Sequence, residues 1–373
     1  YDTTEQSSWF ATFDSTANTW YETYYDSPRS LWAKYGLAIS SGLAGVGMWA
    51  LGYDEGQSGY WETISARFAV LRLAGTDRYG TAAAISAATF QPGTPVAFIA
   101  TGGVFPDALA GGPAAARLGG PVLLVTPTAI PAVTAGELAR LKPDRIFVLG
   151  GTSVVGASVQ AALAAYATSG TVTRIAGADR YGTAAALSAA TFQPGVPVAY
   201  IATGLDFPDA LGGAAAGGLR GGPLLLVGGT GIPAATATEL GRLKPASIVV
   251  LGSGGVVSDA IVAQLQSYTG TPVTRLAGPD RYGTAAAISA ATFAPGAPVA
   301  YIATGLNFPD GLAGAPAAAI QGGPVLLVSG SAIPTATANE LARLKPGRIV
   351  VLGGTSVIPD SVVDALRSIV ASS

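Results

Sequence analysis

From about Leu71 onward, short apolar runs alternate with longer Ala-rich stretches. PVAFIATGG from Pro95, PVLLV from Pro121 and RIFVLGG from Arg145 are continuous apolar runs. Runs of about five residues that end in Gly have the pattern of strands buried on both faces. Between them, residues 106–118, 131–141 and 153–166 predict helices, two with Pro near the first turn and the third with Ser153 as N-cap. Strands and helices in series predict a parallel sheet wrapped by helices through right-handed crossovers.

This pattern occurs three times. LRLAGTDRYGT starts at Leu71, TRIAGADRYGT at Thr173 and TRLAGPDRYGT at Thr274, so Arg78, Arg180 and Arg281 stand 102 and 101 residues apart. The copies continue in the same order through FPDAL, FPDAL and FPDGL, then GGPVLLV, GGPLLLV and GGPVLLV, then ELARLKP, ELGRLKP and ELARLKP, to a strand ending in VLG. A period this long fits a domain, not a solenoid turn. The expected boundaries are 71–170, 171–272 and 273–373, with a separate segment at 1–68. Three equal modules bury all their matching faces only if they close on one another, whereas an open row leaves two faces bare. A pseudo-threefold body is therefore expected.

Composition narrows the chemistry. Nearly half of the 373 residues are hydrophobic and 11% are charged, which excludes disorder. Residues 1–70 carry three Lys/Arg against eight Asp/Glu and the remainder seventeen against fourteen, giving −5 and +3. Neither value suggests a nucleic-acid binder, while a weakly positive body suits an anionic polymer. Cys and His are absent, which excludes disulfides, thiolate nucleophiles, His-based acid/base catalysis and the usual zinc sites. No cofactor or metal is implied. No apolar run is long enough for a membrane span. The chain opens without a basic and apolar leader, so any export signal is expected upstream.

Two motifs could carry binding chemistry. Asp77-Arg78-Tyr79, Asp179-Arg180-Tyr181 and Asp280-Arg281-Tyr282 combine a fork of donors with an aromatic hydroxyl, which suits a phosphate, carboxylate or sugar. The other reading makes the Asp a helix cap and the Arg a strut against a neighbouring module. The second motif is the strand-to-helix corner with Asp107, Asp209 and Asp310. Ligands gather at such corners, but a carboxylate in the first helical turn competes with an incoming anion. No phosphate-binding loop follows these strands. Glu137 and Arg140, Glu239 and Arg242, and Glu340 and Arg343 lie three apart on a helix and are expected to be solvated pairs. Without His, no nucleophile and base dyad is recognisable.

The succession AG-DRYGTA, FPDAL, GGPVLLV, ELARLKP and VLGG resembles the cell wall binding repeat type 2 family, found in tandem threes on Gram-positive surface proteins. The resemblance covers about four fifths of the chain. It implies a Rossmann-like module, three of them in a pseudo-trimer, and non-covalent anchoring to an anionic wall polysaccharide outside the cell. The family's Ile-Leu-Leu anchoring stretch corresponds to Val122-Leu123-Leu124, Leu224-Leu225-Leu226 and Val325-Leu326-Leu327, which read physically as a central strand. LGSGG at Leu251 departs from the LGGTS of the other copies.

The first seventy residues differ sharply, holding all five Trp of the chain. A helix over residues 27–40 followed by a strand GVGMWALG resembles the end of a glycoside hydrolase family 18 barrel, a partial β/α-barrel fragment. That family's eighth strand ends in a Trp flooring the sugar site, corresponding to Trp49. The family's DxxDxDxE strand is absent, so this chain is expected to lack a catalytic acid even if its parent is a wall-anchored sugar hydrolase. Wall anchoring is the principal reading. Self-association into a surface layer or filament and an active carbohydrate hydrolase are the alternatives.

Overall fold

The computed structural model describes residues 1–40, 46–47, 59–61, 63–64, 69–104 and 108–371. The chain divides into two compact units, residues 1–70 with 367–373, and residues 71–366.

In the first unit, β1 (Ser8–Asp14) and β2 (Thr19–Tyr25) pair antiparallel from Ser8 opposite Tyr25 to Asp14 opposite Thr19. The Asp14 carboxylate accepts the Thr16 and Ala17 amides, which turns the chain between the strands. Helix α1 (Pro28–Ser40) agrees with the expected helix. Ser30 Oγ accepts the Ser27 amide at its start. The expected strand GVGMWALG, with Trp49, lies outside the described residues.

The second unit is built from three four-stranded sheets. The first copy supplies β4 (Val96–Thr101), β5 (Val122–Val125) and β6 (Arg145–Leu149), paired parallel in the order β5-β4-β6. The second supplies β8 (Ala199–Thr203), β9 (Leu224–Val227) and β10 (Ile248–Leu251), and the third β12 (Ala300–Thr304), β13 (Val325–Val328) and β14 (Ile349–Leu352). These strands are almost wholly buried, as continuous apolar runs require.

The fourth strand of each sheet comes from the residues that open the next copy. β7 (Thr171–Ile175) pairs with β6 and β11 (Thr274–Leu276) with β10. The circle closes because β3 (Val70–Leu73), which opens the first copy, lies beside β14 of the third. The same lock recurs at each junction. Arg72 donates to Gly353 O at 2.6 Å, Arg174 to Gly150 O at 2.6 Å and Arg275 to Gly252 O at 2.7 Å.

Helices complete the closure. α3 (Gly111–Leu118), α7 (Pro208–Arg220) and α11 (Pro309–Ile320) pack on one another through small residues. A Cβ added at Gly112 would come within 2.9 Å of the Ala214 Cβ and 3.2 Å of the Ala315 Cβ. One at Gly218 would come within 2.7 Å of Ala319 and 2.8 Å of Ala116. Each of these helices also packs on the opening helix of the next copy. α3 meets α6 (Arg180–Thr191), α7 meets α10 (Arg281–Thr292), and α11 meets α2 (Arg78–Thr89). The pseudo-threefold expectation therefore holds. Ala and Gly are abundant here because they let helix axes approach closely.

Three helix expectations need adjustment, and the one over 106–118 is helical at Gly111–Leu118, with residues 105–107 outside the described ones. The helix expected over 153–166 begins at Ala157 behind Gly156 and ends in a 3-10 turn at Ala164–Tyr166. Ser153 instead lies in the preceding turn, closed by Val154 and Val155 amides on Gly151 O. The helix expected over 131–141 spans Ala132–Leu141.

Candidate functional site

The DRY motif sits where a copy's first strand turns into its first helix. Asp77, Asp179 and Asp280 cap that helix, accepting the amides of Gly80, Gly182 and Gly283 at 2.8, 2.7 and 2.8 Å. Gly75 needs to be Gly, since a Cβ there would lie 2.3 Å from the backbone of Gly80. Thr81 Oγ1 accepts the Gly75 amide and ties the turn back on itself. Much of AG-DRYGT is thus explained by building a tight strand-to-helix turn.

The arginines reach the carboxyl end of their own copy's central strand. Arg78 donates to Gly102 O, Arg180 to Gly204 O and Arg281 to Gly305 O. The tyrosine rings lie on the same glycines: Cβ atoms at Gly102, Gly204 and Gly305 would meet Tyr79, Tyr181 and Tyr282 at 2.8, 2.6 and 2.8 Å. These three glycines are what lets the Arg and Tyr close over the strand end. Arg78, Tyr79, Arg180, Tyr181, Arg281 and Tyr282 are all half-buried, so part of each remains open to solvent.

At two of the seams, those of Arg281 and Arg78, the arginine faces the preceding copy around the ring. Between the second and third copies a cleft of about 160 Å³ is lined by Thr203, Asp206, Asp209, Asp280, Arg281 and Thr284, among others. Arg281 Nη2 lies 3.7 Å from Asp206 Oδ2, and its guanidinium stands 6.0 Å from the centre of the Phe207 ring. Asp209 is 9% exposed at the helix start. Burial pushes its carboxyl up to about 6, and the Asp206 charge adds to this. A hydrogen bond from Thr284 and the charge of Arg281 oppose the shift. Asp310, at the equivalent place, is likewise raised to about 6 by burial, with Arg78 opposing. Arg78 therefore acts across the closing seam as Arg281 acts across the second. Asp107 lies outside the described residues.

The apolar stretches occupy the core. Val122, Leu123, Leu124, Leu224, Leu225, Leu226, Val325, Leu326 and Leu327 are each at most 1% exposed. They hold the sheet that carries the strand-end glycines and reach no surface themselves.

One expectation is corrected. Glu137, Glu239 and Glu340 are buried at 6%, 4% and 5% exposure, so they are not solvated partners of their arginines. Glu137 Oε1 accepts from Ser86 Oγ at 2.5 Å, and Arg140 grips both carboxylate oxygens at 2.7 Å while donating to Phe90 O at 2.8 Å. The second copy repeats this with Ser188, Glu239, Arg242 and Phe192. The hydrogen bond that Arg140 donates to Glu137 holds its guanidinium above its ordinary range against the opposing effect of burial. The three-residue spacing revealed the pair, but not that the first helix of the copy covers it.

Among the described residues, no group of three or more Asp and Glu could hold a metal ion, and no helix is long and apolar enough to cross a membrane.

Comparison with known proteins bears on the repeats. The chain is 27% identical over 306 residues to N-acetylmuramoyl-L-alanine amidase LytC of Bacillus subtilis, covering 82% of this chain and 60% of that protein. It is 29% identical over 315 residues to the amidase enhancer of the same organism, covering 83% and 42%. The chain thus spans between two fifths and three fifths of these relatives. Two solved structures share its fold, Cwp6 and Cwp8 from Clostridium difficile, with TM-scores of 0.75 and 0.73, each 24% identical. The likeness covers 82% and 81% of this chain, and 48% and 52% of those chains. The model of the family cell wall binding domain 2 matches residues 72–160, 174–262 and 275–363, one span in each copy, and the chain belongs to that family.

Proposed function

We propose that this chain holds an extracellular protein on the wall of a Gram-positive bacterium by non-covalent binding of an anionic wall polysaccharide. The observation that carries the reading is the closure of three family-matched copies into one ring with recurrent seams. Arg281 and Arg78 each stand beside the helix start of the copy before them, with a Tyr of their own copy next to them. A long polymer can engage more than one seam, and each engagement raises its effective concentration at the others. The buried Val-Leu-Leu and Leu-Leu-Leu strands support anchoring by fixing the strand ends, not by touching the polymer.

The curated relatives include an amidase and an amidase enhancer, consistent with wall-directed proteins that share this binding part. On this reading the repeats deliver whatever is joined to them. The first seventy residues would belong to such a cargo, and their likeness to a glycoside hydrolase family 18 barrel rests on the helix and Trp49 motif in the sequence. Ring closure works against self-assembly, since each module face is already covered by its neighbour.

The test is cosedimentation of the full chain with purified Bacillus subtilis walls, before and after chemical removal of their anionic secondary polymer. The chain should pellet with intact walls and stay in the supernatant with stripped ones. Equal pelleting with both would reject an anionic polysaccharide as the ligand.

A further inference from the structure

Asp206 is a point at which the copies differ. The corner after the central strand reads TGGVFPD, TGLDFPD and TGLNFPD, so Val104, Asp206 and Asn307 occupy one position. Asp206 and Asn307 perform the same local task. Asp206 Oδ1 accepts the Phe207 amide at 2.9 Å, and Asn307 Oδ1 accepts the Phe308 amide at 2.9 Å. Both residues are exposed. They differ in charge and not in this hydrogen bond.

The consequence falls on the arginine opposite. Arg281 has Asp206 at 3.7 Å, in a cleft that also holds Asp209 and Asp280. An incoming phosphate or carboxylate there meets three carboxylates and one guanidinium. At the closing seam, where Arg78 acts on Asp310, the equivalent position of the repeat is the neutral Asn307, so that seam has one carboxylate fewer. We infer that Asp206 makes the seams unequal, so that the one between the second and third copies discriminates against anionic groups more strongly than the seam of Arg78. The inference rests on the proposed binding of an anionic wall polymer and assigns to Asp206 the role of a specificity determinant within it.

The test exchanges these two residues. Asp206→Asn and Asn307→Asp each install a side chain that this fold already uses at the equivalent position, so both variants should fold. The control is Asp144→Asn, which removes an exposed carboxylate before the amino end of β6, the opposite end of a strand from the seams. Dissociation constants are measured by cosedimentation with purified Bacillus subtilis walls at low ionic strength, where a charge one side chain away from the bound group is least screened. Asp206→Asn should tighten binding by about threefold or more and Asn307→Asp should weaken it similarly, with Asp144→Asn unchanged. If the native chain binds intact walls but not stripped ones and both exchanges bind as it does, the inference fails while wall anchoring stands. Equal tightening by Asp144→Asn would also overturn it, by showing an effect of net charge alone. Failure of the native chain to bind walls would remove the anchoring proposal and this inference with it.

Discussion

Asp209 and Asp310 decide whether the seams are held by ion pairs or tolerate buried charge at a cost. A carboxyl near 6 against an ordinary 3.8 corresponds to about 3 kcal/mol of penalty on its ionised form. Because the folded value is raised, the folded state holds these protons more tightly than the unfolded chain. The resulting stability is fully present below the unfolded value and is lost as pH rises through about 6. This is opposite in sign to a carboxylate held by an ion pair. Other acids of the chain titrate as well, so the informative quantity is the difference between the native chain and Asp209→Asn/Asp310→Asn. Urea unfolding at pH 4, 5, 6 and 7.5 should show the double variant gaining relative stability with pH, by several kcal/mol at the top of the range. Near pH 4 the gain should have largely disappeared. A difference that does not change with pH would show that Arg281 and Arg78 cancel desolvation, and a variant that weakens relative to the native chain as pH rises would show that they outweigh it. The account of the seams would then be wrong.

Two further outcomes follow from packing. Gly218→Val should lower stability by about 1–3 kcal/mol, seen as a lower thermal midpoint, because its Cβ already meets Ala319 and Ala116 at 2.7 and 2.8 Å. Glu137→Ala should lower stability by about 2 kcal/mol in urea, since it leaves Ser86 and Arg140 without their shared acceptor. Asp144→Asn, on the surface, should change it by about 0.5 kcal/mol or less.

Much of the fold was legible in the sequence because its signals are local. The apolar runs at Pro95, Pro121 and Arg145 became β4, β5 and β6, and the repeated DRY and FPD motifs fixed the number of modules. The strand exchange was not legible. TRIAG and TRLAG look like the first strands of their own copies, and only the spatial closure shows that each completes the sheet before it. Burial of Glu137 was hidden for a related reason. Its partner Ser86 is 51 residues away, and i,i+3 spacing looks the same on a wet or a covered face. At the DRY motif, both readings of the arginine had a physical basis. Arg281 donates to its own copy, faces an acid of the preceding one, and still leaves part of its side chain open.

Retention on walls by the arginine variants tests the central claim most directly. Arg78→Gln, Arg180→Gln and Arg281→Gln, alone and together, are compared with the native full chain by cosedimentation with purified walls, each with native circular dichroism. Each single change should weaken retention modestly, Arg281→Gln least, and the triple change should nearly abolish it, because weak seams act together on one polymer. A folded triple variant that binds walls as the native chain does would show that these arginines only brace the ring and that the polymer is held elsewhere.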